Sequence, residues 1–260
     1  MKAKKSYGQH FLKEDHIAKK IADALIHTSE YQNILEVGPG KGMLTKFLQQ
    51  YESFHKKYVE ADRDMVEYLN EMYPQISEDI VFNDFLKVNL MELFDGPFAM
   101  IGNFPYNISS QIVFRVLKYR DQIPEMVGMF QREVAQRIVA GPNTKEYGIL
   151  SVLAQAFYDA TYLFTVKAGS FNPPPKVQSA VIRLSRRKDF DQLPCSYSTL
   201  KTVVKVTFGT RRKMLRNSLK SFLSKEELFA DPFYERRPES LSVKEFIELA
   251  VRIEQKKAIE

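Results

Sequence analysis

The chain has 260 residues, 44% of them hydrophobic, and a formal net charge of +6. That length and apolar content suit one large domain, or a large domain plus a small one, and the basic excess hints at a polyanionic partner. The single cysteine, Cys195, excludes an intramolecular disulfide and zinc sites built on cysteine pairs, and the four histidines show no metal-ligand spacing, so no metal is expected.

Residues 1–13 read as a basic arm, with Lys2, Lys4 and Lys5 ahead of an aromatic, glycine-containing stretch. The arm has no apolar core of a signal peptide, and no run approaches the roughly 20 apolar residues that span a bilayer. A cytoplasmic protein with no membrane association is expected. A helix is predicted from Asp15 to Thr28, with Ile17, Ile21, Ala24 and Leu25 on one face.

Ile34-Leu35-Glu36-Val37 reads as a short buried strand running into Gly38-Pro39-Gly40-Lys41-Gly42 and a helix over Met43–Gln50. Glycines at such a turn let backbone approach a ligand closely. This is not the dinucleotide fingerprint, because position 43 is Met. G-x-G-x-G after an acidic residue is the usual mark of S-adenosylmethionine (AdoMet) sites, with a plain βα turn as the alternative. A second strand, Lys57–Ala61, ends in Glu60-Ala61-Asp62, where a nucleoside's ribose hydroxyls would need an acceptor. Glu60 fits that role better than Asp62, which can cap the next helix (Asp64–Met72). A third strand, Ile80–Phe82, ends in Asn83-Asp84-Phe85; Asp84 can accept from an adenine amine, with Phe85 beside the ring.

The fourth apolar run, Phe98–Ile101, leads to Asn103-Phe104-Pro105-Tyr106. The Asn103 side-chain oxygen and the Pro105 carbonyl can both accept from one exocyclic amine, and the Tyr106 ring can lie flat on a base. The plain alternative is a loop with a turn-forming Asn-x-Pro. Glycine loop, acid, acid and amide each end a successive strand, where an open α/β sheet places its ligands. Further elements follow: a helix over 107–120, a strand over Met126–Phe130, helices over Arg132–Val139 and Tyr147–Phe157, and strands over Tyr162–Val166 and Gln178–Leu184. Between the last two lies Phe171-Asn172-Pro173-Pro174-Pro175-Lys176-Val177, stiff and extended. From pattern alone this is a rigid linker whose Phe171 plugs the core.

The remainder reads as helical: Ser196 capping a helix to Phe208, a helix over Arg211–Leu223, and capping boxes at Ser224–Glu227 and Ser242–Glu245. No acidic residue interrupts Lys201–Lys220, which holds Arg211, Arg212, Lys213 and Arg216. RNA phosphate contact is the better reading of that stretch, and a solvated helix face is the alternative. The domains expected are 1–188, an α/β nucleotide-type unit, and 189–260, a small all-helical unit.

With these pieces assembled, the sequence resembles the KsgA family of small-subunit rRNA adenine dimethyltransferases over nearly its whole length. The resemblance rests on Lys5-Ser-Tyr-Gly-Gln-His-Phe-Leu12, Ile34–Gly42, Asn103-Phe-Pro-Tyr-Asn-Ile-Ser109, Phe130–Arg137, Tyr147–Leu153, Phe171–Val177 and Arg211-Arg-Lys213. It implies a class I AdoMet-dependent methyltransferase: a Rossmann-like, seven-stranded, mostly parallel sheet with a helical C-terminal domain. It implies that AdoMet is the methyl donor and that the target is two adjacent adenines in the 3′-terminal hairpin loop of 16S rRNA, in an assembling small subunit. His10 and Leu12 fall where the family contacts AdoMet, Gly38 at the methionine end, Gly40 with it in the cofactor-binding loop, Glu60 at the ribose, and Asp84 and Phe85 at the adenine. Asn103 lies between donor and target. With Pro105, Tyr106 and Phe171 it forms the catalytic set, the two rings sandwiching the flipped base. Lys4, Lys5, Arg211, Arg212, Lys213 and Arg216 would hold RNA. Departures are few: His10 where many members have Asn, Phe104 where Leu is common, and Ser110-Gln111 for a frequent Thr-Pro. An erythromycin-resistance-type enzyme acting on large-subunit rRNA and a non-catalytic RNA-binding assembly factor are the rival readings. A monomer is expected.

Overall fold

A computed structural model of the chain describes residues 9–26 and 29–258. Lys4 and Lys5 lie outside the described residues. The chain divides into two compact units, one of residues 1–135 and 160–186, the other of residues 136–159 and 187–260.

The first unit is an open sheet whose central strands are apolar runs. Its strands are β2 (Asn33–Val37), β3 (His55–Glu60), β4 (Ile80–Phe82), β5 (Phe98–Asn103), β6 (Glu125–Gln131), β7 (Tyr158–Val166) and β9 (Ser179–Arg186). They form one seven-stranded sheet in the order β4-β3-β2-β5-β6-β9-β7. From β4 to β6 every ladder is parallel, and β9 runs antiparallel to β6. The central strands β2, β5 and β6 are buried almost throughout, as parallel strands covered on both faces must be. Helices α1 (Asp15–Ala22), α2 (Thr45–Leu48), α3 (Arg63–Met72) and α4 (Ser109–Lys118) connect and flank them. Chain order reverses at β2, whose neighbours β3 and β5 lead to opposite edges. A crevice at such a reversal, beyond the carboxyl ends, is where open α/β sheets bind ligands.

A two-residue ribbon stands outside that sheet. β1 (Phe11–Leu12) pairs antiparallel with β8 (Phe171–Asn172), Leu12 opposite Phe171. The helix expected to reach Thr28 ends at Ala22. Ala24 and Leu25 still pack on the core cluster.

The second unit contains α6 (Ile149–Gln155), α7 (Tyr197–Gly209), α8 (Leu215–Ser218), α9 (Lys225–Ala230) and α10 (Val243–Lys257). The helix α5 (Arg132–Val139) spans the division between units. Ser196 caps α7, and the capping boxes at Ser224 and Ser242 open α9 and α10 as predicted. Phe208 stacks on Phe246 at 5.6 Å, and the buried Tyr147 donates its hydroxyl to the Leu241 carbonyl at 2.8 Å. These contacts place residues 136–159 with the C-terminal helices, although the sequence reading assigned them to the first domain. The helix expected over Arg211–Leu223 is also shorter: only Leu215–Ser218 is α-helical, and residues 211–214 form a turn.

Candidate active site

A cavity of about 500 Å³ opens at the carboxyl ends of the parallel strands, within the range of small-molecule sites. Four strand ends supply its wall: Val37–Lys41, Met43 and Leu44 at the end of β2, Glu60 and Ala61 at the end of β3, Phe82–Lys87 at the end of β4, and Asn103–Ile108 at the end of β5. Gln9–Leu12 of the arm complete it. Of the residues expected to hold cofactor or target, His10, Leu12, Gly38, Gly40, Glu60, Asp84, Phe85, Asn103, Pro105 and Tyr106 all line this one space. Phe171 does not.

The glycine loop is shaped by its backbone. Gly38, Gly40 and Gly42 have φ of 68°, 54° and 74°, the left-handed region that side chains rarely adopt. Glu60 then fixes the loop. One carboxylate oxygen accepts from Gly40 N–H at 3.0 Å, the other from Ala61 and Asp62 N–H at 2.9 Å each. Three of the roughly four lone-pair positions are thereby used, leaving one for a ligand hydroxyl. Asp62 caps α3 through Asp64 N–H and also takes the Gln9 amide at 2.9 Å, which ties the arm to the end of β3. Phe11 packs on the same loop, its ring 3.2 Å from where a Gly40 Cβ would stand, with the Lys41 ammonium 5.1 Å from the ring centre.

Glu36 is a site residue that the sequence reading passed over except as the acid before the loop. It lines the cavity, is 1% exposed, and accepts a hydroxyl hydrogen bond from Thr45 at 2.7 Å. Burial pushes its carboxyl up to about 8, opposed by the Thr45 bond and reinforced by nearby Glu60. Glu60 is itself raised by burial, against the three amides that favour its charged form. The signal was in the sequence: a lone acid inside the apolar run Ile34–Val37.

At the opposite end, Asp84 accepts from Leu86 N–H at 2.9 Å and heads a turn. Phe85 is buried, with the Arg115 guanidinium 5.1 Å from its ring centre. Arg115 also donates to the Leu86 and Val88 carbonyls, so a single side chain from α4 holds the whole 84–88 loop.

The Asn103–Tyr106 loop is aimed by a phenylalanine in a slot. Phe104 is 1% exposed and packs on Phe130 at 5.0 Å. A Cβ at Gly102 or at Gly128 would lie 2.6 Å or 2.1 Å from the Phe104 ring, so both strands need glycine there. With Phe104 sunk between β5 and β6, Asn103 and Pro105-Tyr106 are left at the cavity wall. Asn103 donates its amide N–H to the His10 carbonyl at 3.0 Å. A carbonyl can only accept, so this contact fixes which end of the amide is nitrogen and leaves Oδ1 as the acceptor. Among the described residues, the Pro105 carbonyl receives long contacts, 3.3 Å from Ile108 N–H and 3.4 Å from the Ser109 hydroxyl, beyond ordinary lengths. Tyr106 is held by a 2.5 Å bond between its hydroxyl and buried Ser179, and burial raises its phenol. His10 stacks on the Tyr106 ring, centroids 5.3 Å apart, and its Nδ1 lies 2.8 Å from the Pro173 carbonyl.

Two of the expected site residues make contacts that the sequence pattern does not show. Phe171 is 1% exposed and belongs to the core cluster with Leu12, Val166 and Val181. Its pairing with Leu12 covers it in this structure, the packing that the core-plug reading of the triproline segment expects. Arg211 is not a free cation. Its guanidinium bonds Glu239 at 2.8 Å and the Lys145 and Thr144 carbonyls at 2.8 and 2.9 Å, stapling the 141–146 loop within the second unit. Arg216 is paired with Glu235 at 2.9 Å and lies over Phe229. Arg212 and Lys213 are exposed.

The profile of the ribosomal RNA adenine dimethylase family matches residues 1–251. The chain belongs to this family. The ribosomal RNA small subunit methyltransferase A of Flavobacterium johnsoniae is 53% identical over 255 residues, covering 98% of this chain and 97% of that protein. The protein of the same name from Phocaeicola vulgatus is 54% identical over 256 residues, covering 98% and 90%. Among solved structures, a dimethyladenosine transferase from Plasmodium falciparum superposes with a TM-score of 0.79 at 23% identity, covering 95% of this chain and 98% of that one. The 23S rRNA methyltransferase ErmE gives 0.68 at 24% identity, covering 94% and 100%. Those two likenesses confirm the class I methyltransferase fold that the dimethylase family shares. The family membership also makes the chain an rRNA-directed methyltransferase, and the four-strand cavity is the part of it suited to a nucleoside donor.

Proposed function

We propose that the protein dimethylates the exocyclic amines of two adjacent adenines in the 3′-terminal hairpin loop of 16S rRNA, using AdoMet, during small-subunit assembly in the cytoplasm. The observation that carries this is the Asn103 amide, turned by the His10 carbonyl so that Oδ1 is the acceptor, beside the Pro105 carbonyl and the Tyr106 ring.

AdoMet fits the residues present. Glu60 keeps one lone-pair position for a ribose hydroxyl, Asp84 and Phe85 offer an amine acceptor and an apolar wall, and the backbone of Gly38 and Gly40 admits close approach. When bound, AdoMet supplies an activated methyl on a sulfonium. The chain's own contribution is positioning. An adenine amine is a poor nucleophile because its lone pair is delocalised into the ring. Asn103 Oδ1 and the Pro105 carbonyl, accepting from its two N–H groups, favour a pyramidal nitrogen with the lone pair aimed at the methyl. Placing the amine in line accounts for most of the acceleration. No strong general base is needed, because the methylated ammonium is acidic enough to lose its proton to water. The base must leave its stack to reach the wall, and Tyr106, fixed through Ser179, is a stacking platform for it. Two transfers to one nitrogen require room for a monomethylated amine.

Arg212 and Lys213 are the better phosphate ligands of the basic stretch, since Arg211 is consumed by its own unit. The test is radiolabel transfer from AdoMet to small subunits lacking the modification, followed by mapping of the modified nucleotides. Incorporation into large-subunit rRNA instead would establish the erythromycin-resistance type of activity, and no incorporation would leave a binding factor.

A further inference from the structure

The wall that carries Asp84 and Phe85 hangs on the edge of the sheet. β4 is three residues long and stands at that edge beside β3. Asn83 N–H ties the start of the loop after it to the Glu60 carbonyl at 3.0 Å. The far side of the loop is gripped by Arg115 of α4. One terminal nitrogen of its guanidinium donates to the Leu86 carbonyl at 2.6 Å, the other to the Val88 carbonyl. The guanidinium carbon stands 5.1 Å from the Phe85 ring centre and 5.2 Å from that of Tyr119. Burial lowers the pKa of this guanidinium, and nearby Tyr119 and Asp84 oppose the shift. Leu86 is therefore held at both ends, its carbonyl by Arg115 and its N–H by Asp84 Oδ1 at 2.9 Å. α4 is a firm base for that grip, because Ile112, Val113, Val116 and Leu117 are fully buried. The helix begins where the Tyr106–Ile108 turn ends, so the target-side turn stands at its start and the grip on the adenine wall about two turns on.

We infer that Arg115 is a positioning residue for the methyl donor: acting through Leu86, it aims the Asp84 carboxylate at the donor's adenine amine. This rests on the AdoMet reading of the cavity proposed above. With Oδ1 committed to Leu86 N–H, the direction of the other Asp84 oxygen follows the Leu86 peptide, and Arg115 fixes that peptide. The task suits arginine. Its planar fork spans two carbonyls at once, whereas the ammonium of a lysine is a point donor without that geometry. Position 115 lies outside the stretches that carry the family resemblance, so the role comes from the contacts alone.

The test is donor selectivity. The unaltered protein, Arg115→Ala, Arg115→Lys, Asp84→Ala and the double variant Arg115→Ala with Asp84→Ala are each titrated calorimetrically with AdoMet and with its hypoxanthine analogue, in which a carbonyl replaces the amine. Thermal unfolding reports folding. A hydrogen bond to a charged group corresponds to roughly 12- to 150-fold in affinity. The unaltered protein is expected to prefer AdoMet by a factor in that range, Arg115→Ala to lose most of the preference, and Arg115→Lys to fall between. The double variant is expected to show the same preference as Asp84→Ala, because both changes remove one contact. Both ligands weakened alike by Arg115→Ala, with the preference kept, would make Arg115 a brace of the wall and overturn the inference. Unchanged AdoMet affinity, no preference in the unaltered protein, or losses of preference that multiply in the double variant would overturn it as well. If Arg115→Ala does not fold, a full preference in Arg115→Lys overturns it. Failure of the unaltered protein to bind AdoMet would refute the donor reading itself, whereas failure to methylate small subunits with these ratios intact would refute the proposed function and leave the role of Arg115 standing.

Discussion

Replacing Glu60 by Ala tests two things that the structure joins in one carboxylate. The side chain accepts three backbone N–H groups, from Gly40, Ala61 and Asp62, and has one lone-pair position left for a ribose hydroxyl. A hydrogen bond to a charged group contributes about 1.5–3 kcal/mol, so removing the ribose bond alone should weaken AdoMet roughly 12- to 150-fold. Loosening the glycine loop moves the result toward the upper end, because Gly40 loses the partner that holds it. Unfolding should also become easier. A buried amide left without a partner costs about 1–3 kcal/mol. Gly40 and Ala61 line the cavity, where water can replace the carboxylate, so the total should stay near one such penalty. Glu60→Gln keeps one acceptor oxygen and should fall between. Calorimetric titration with AdoMet, alongside thermal unfolding of each variant, measures both effects. A folded Glu60→Ala protein with unchanged AdoMet affinity would remove Glu60 from the ribose site and leave it a loop anchor only.

Asn103→Ala should chiefly slow methyl transfer in a single turnover at saturating AdoMet, since its acceptor matters most as the amine pyramidalises; normal transfer by the folded variant defeats the amine-acceptor mechanism. Tyr106→Ala should weaken capture of the base by about 1–3 kcal/mol, whereas Tyr106→Phe keeps the ring and loses the Ser179 bond, so it should cost mainly stability; equal kinetic losses would point to the hydroxyl instead. Arg212→Ala with Lys213→Ala should flatten the salt dependence of subunit binding by up to roughly 0.7–0.9 for each phosphate no longer neutralised, and Arg211→Ala should lower the stability of the second unit with less change in that slope; an unaltered slope in the double variant makes the pair an ordinary solvated turn. Glu36 should make apo stability fall as pH rises. Its native carboxyl sits at about 8 against 4.5 unfolded, so between those values the native state holds a proton that the unfolded chain has lost. The melting temperature of the wild type relative to Glu36→Gln should therefore decline from about pH 5 to about pH 8 and level above; a flat or rising difference contradicts it.

The parallel half of the fold was legible because its strands carry short apolar runs, only Tyr58-Val59 in β3, that end in residues with chemistry to offer. Helix starts were legible wherever a side chain caps the backbone locally, at Ser196, Ser224 and Ser242. What escaped depends on partners distant in sequence. The β1–β8 ribbon is two residues long, and no periodicity announces it. Arg211 and Arg212 are adjacent and chemically equal, yet one is used up by a carboxylate and two carbonyls, 28 to 67 residues away, and the other is exposed. A run of cations shows total charge but not which members remain available for phosphate.

Phe104 and Phe171 show the same limit at the site itself. Both stand in motifs that carry the family resemblance, and both are 1% exposed. Phe104 looked like a neutral departure from Leu. Its ring instead fills the gap that Gly102 and Gly128 leave between β5 and β6, and the depth of that seat sets where Asn103 and Tyr106 emerge. Phe171 stands in the triproline segment, and its ring lies in the core cluster with Leu12, Val166 and Val181. Its pairing with Leu12 makes it the floor under the arm, and the arm in turn carries His10 to Tyr106. A ring's chemistry can be read from its letter, but which of its faces is free depends on residues such as Leu12, some 160 positions earlier in the chain.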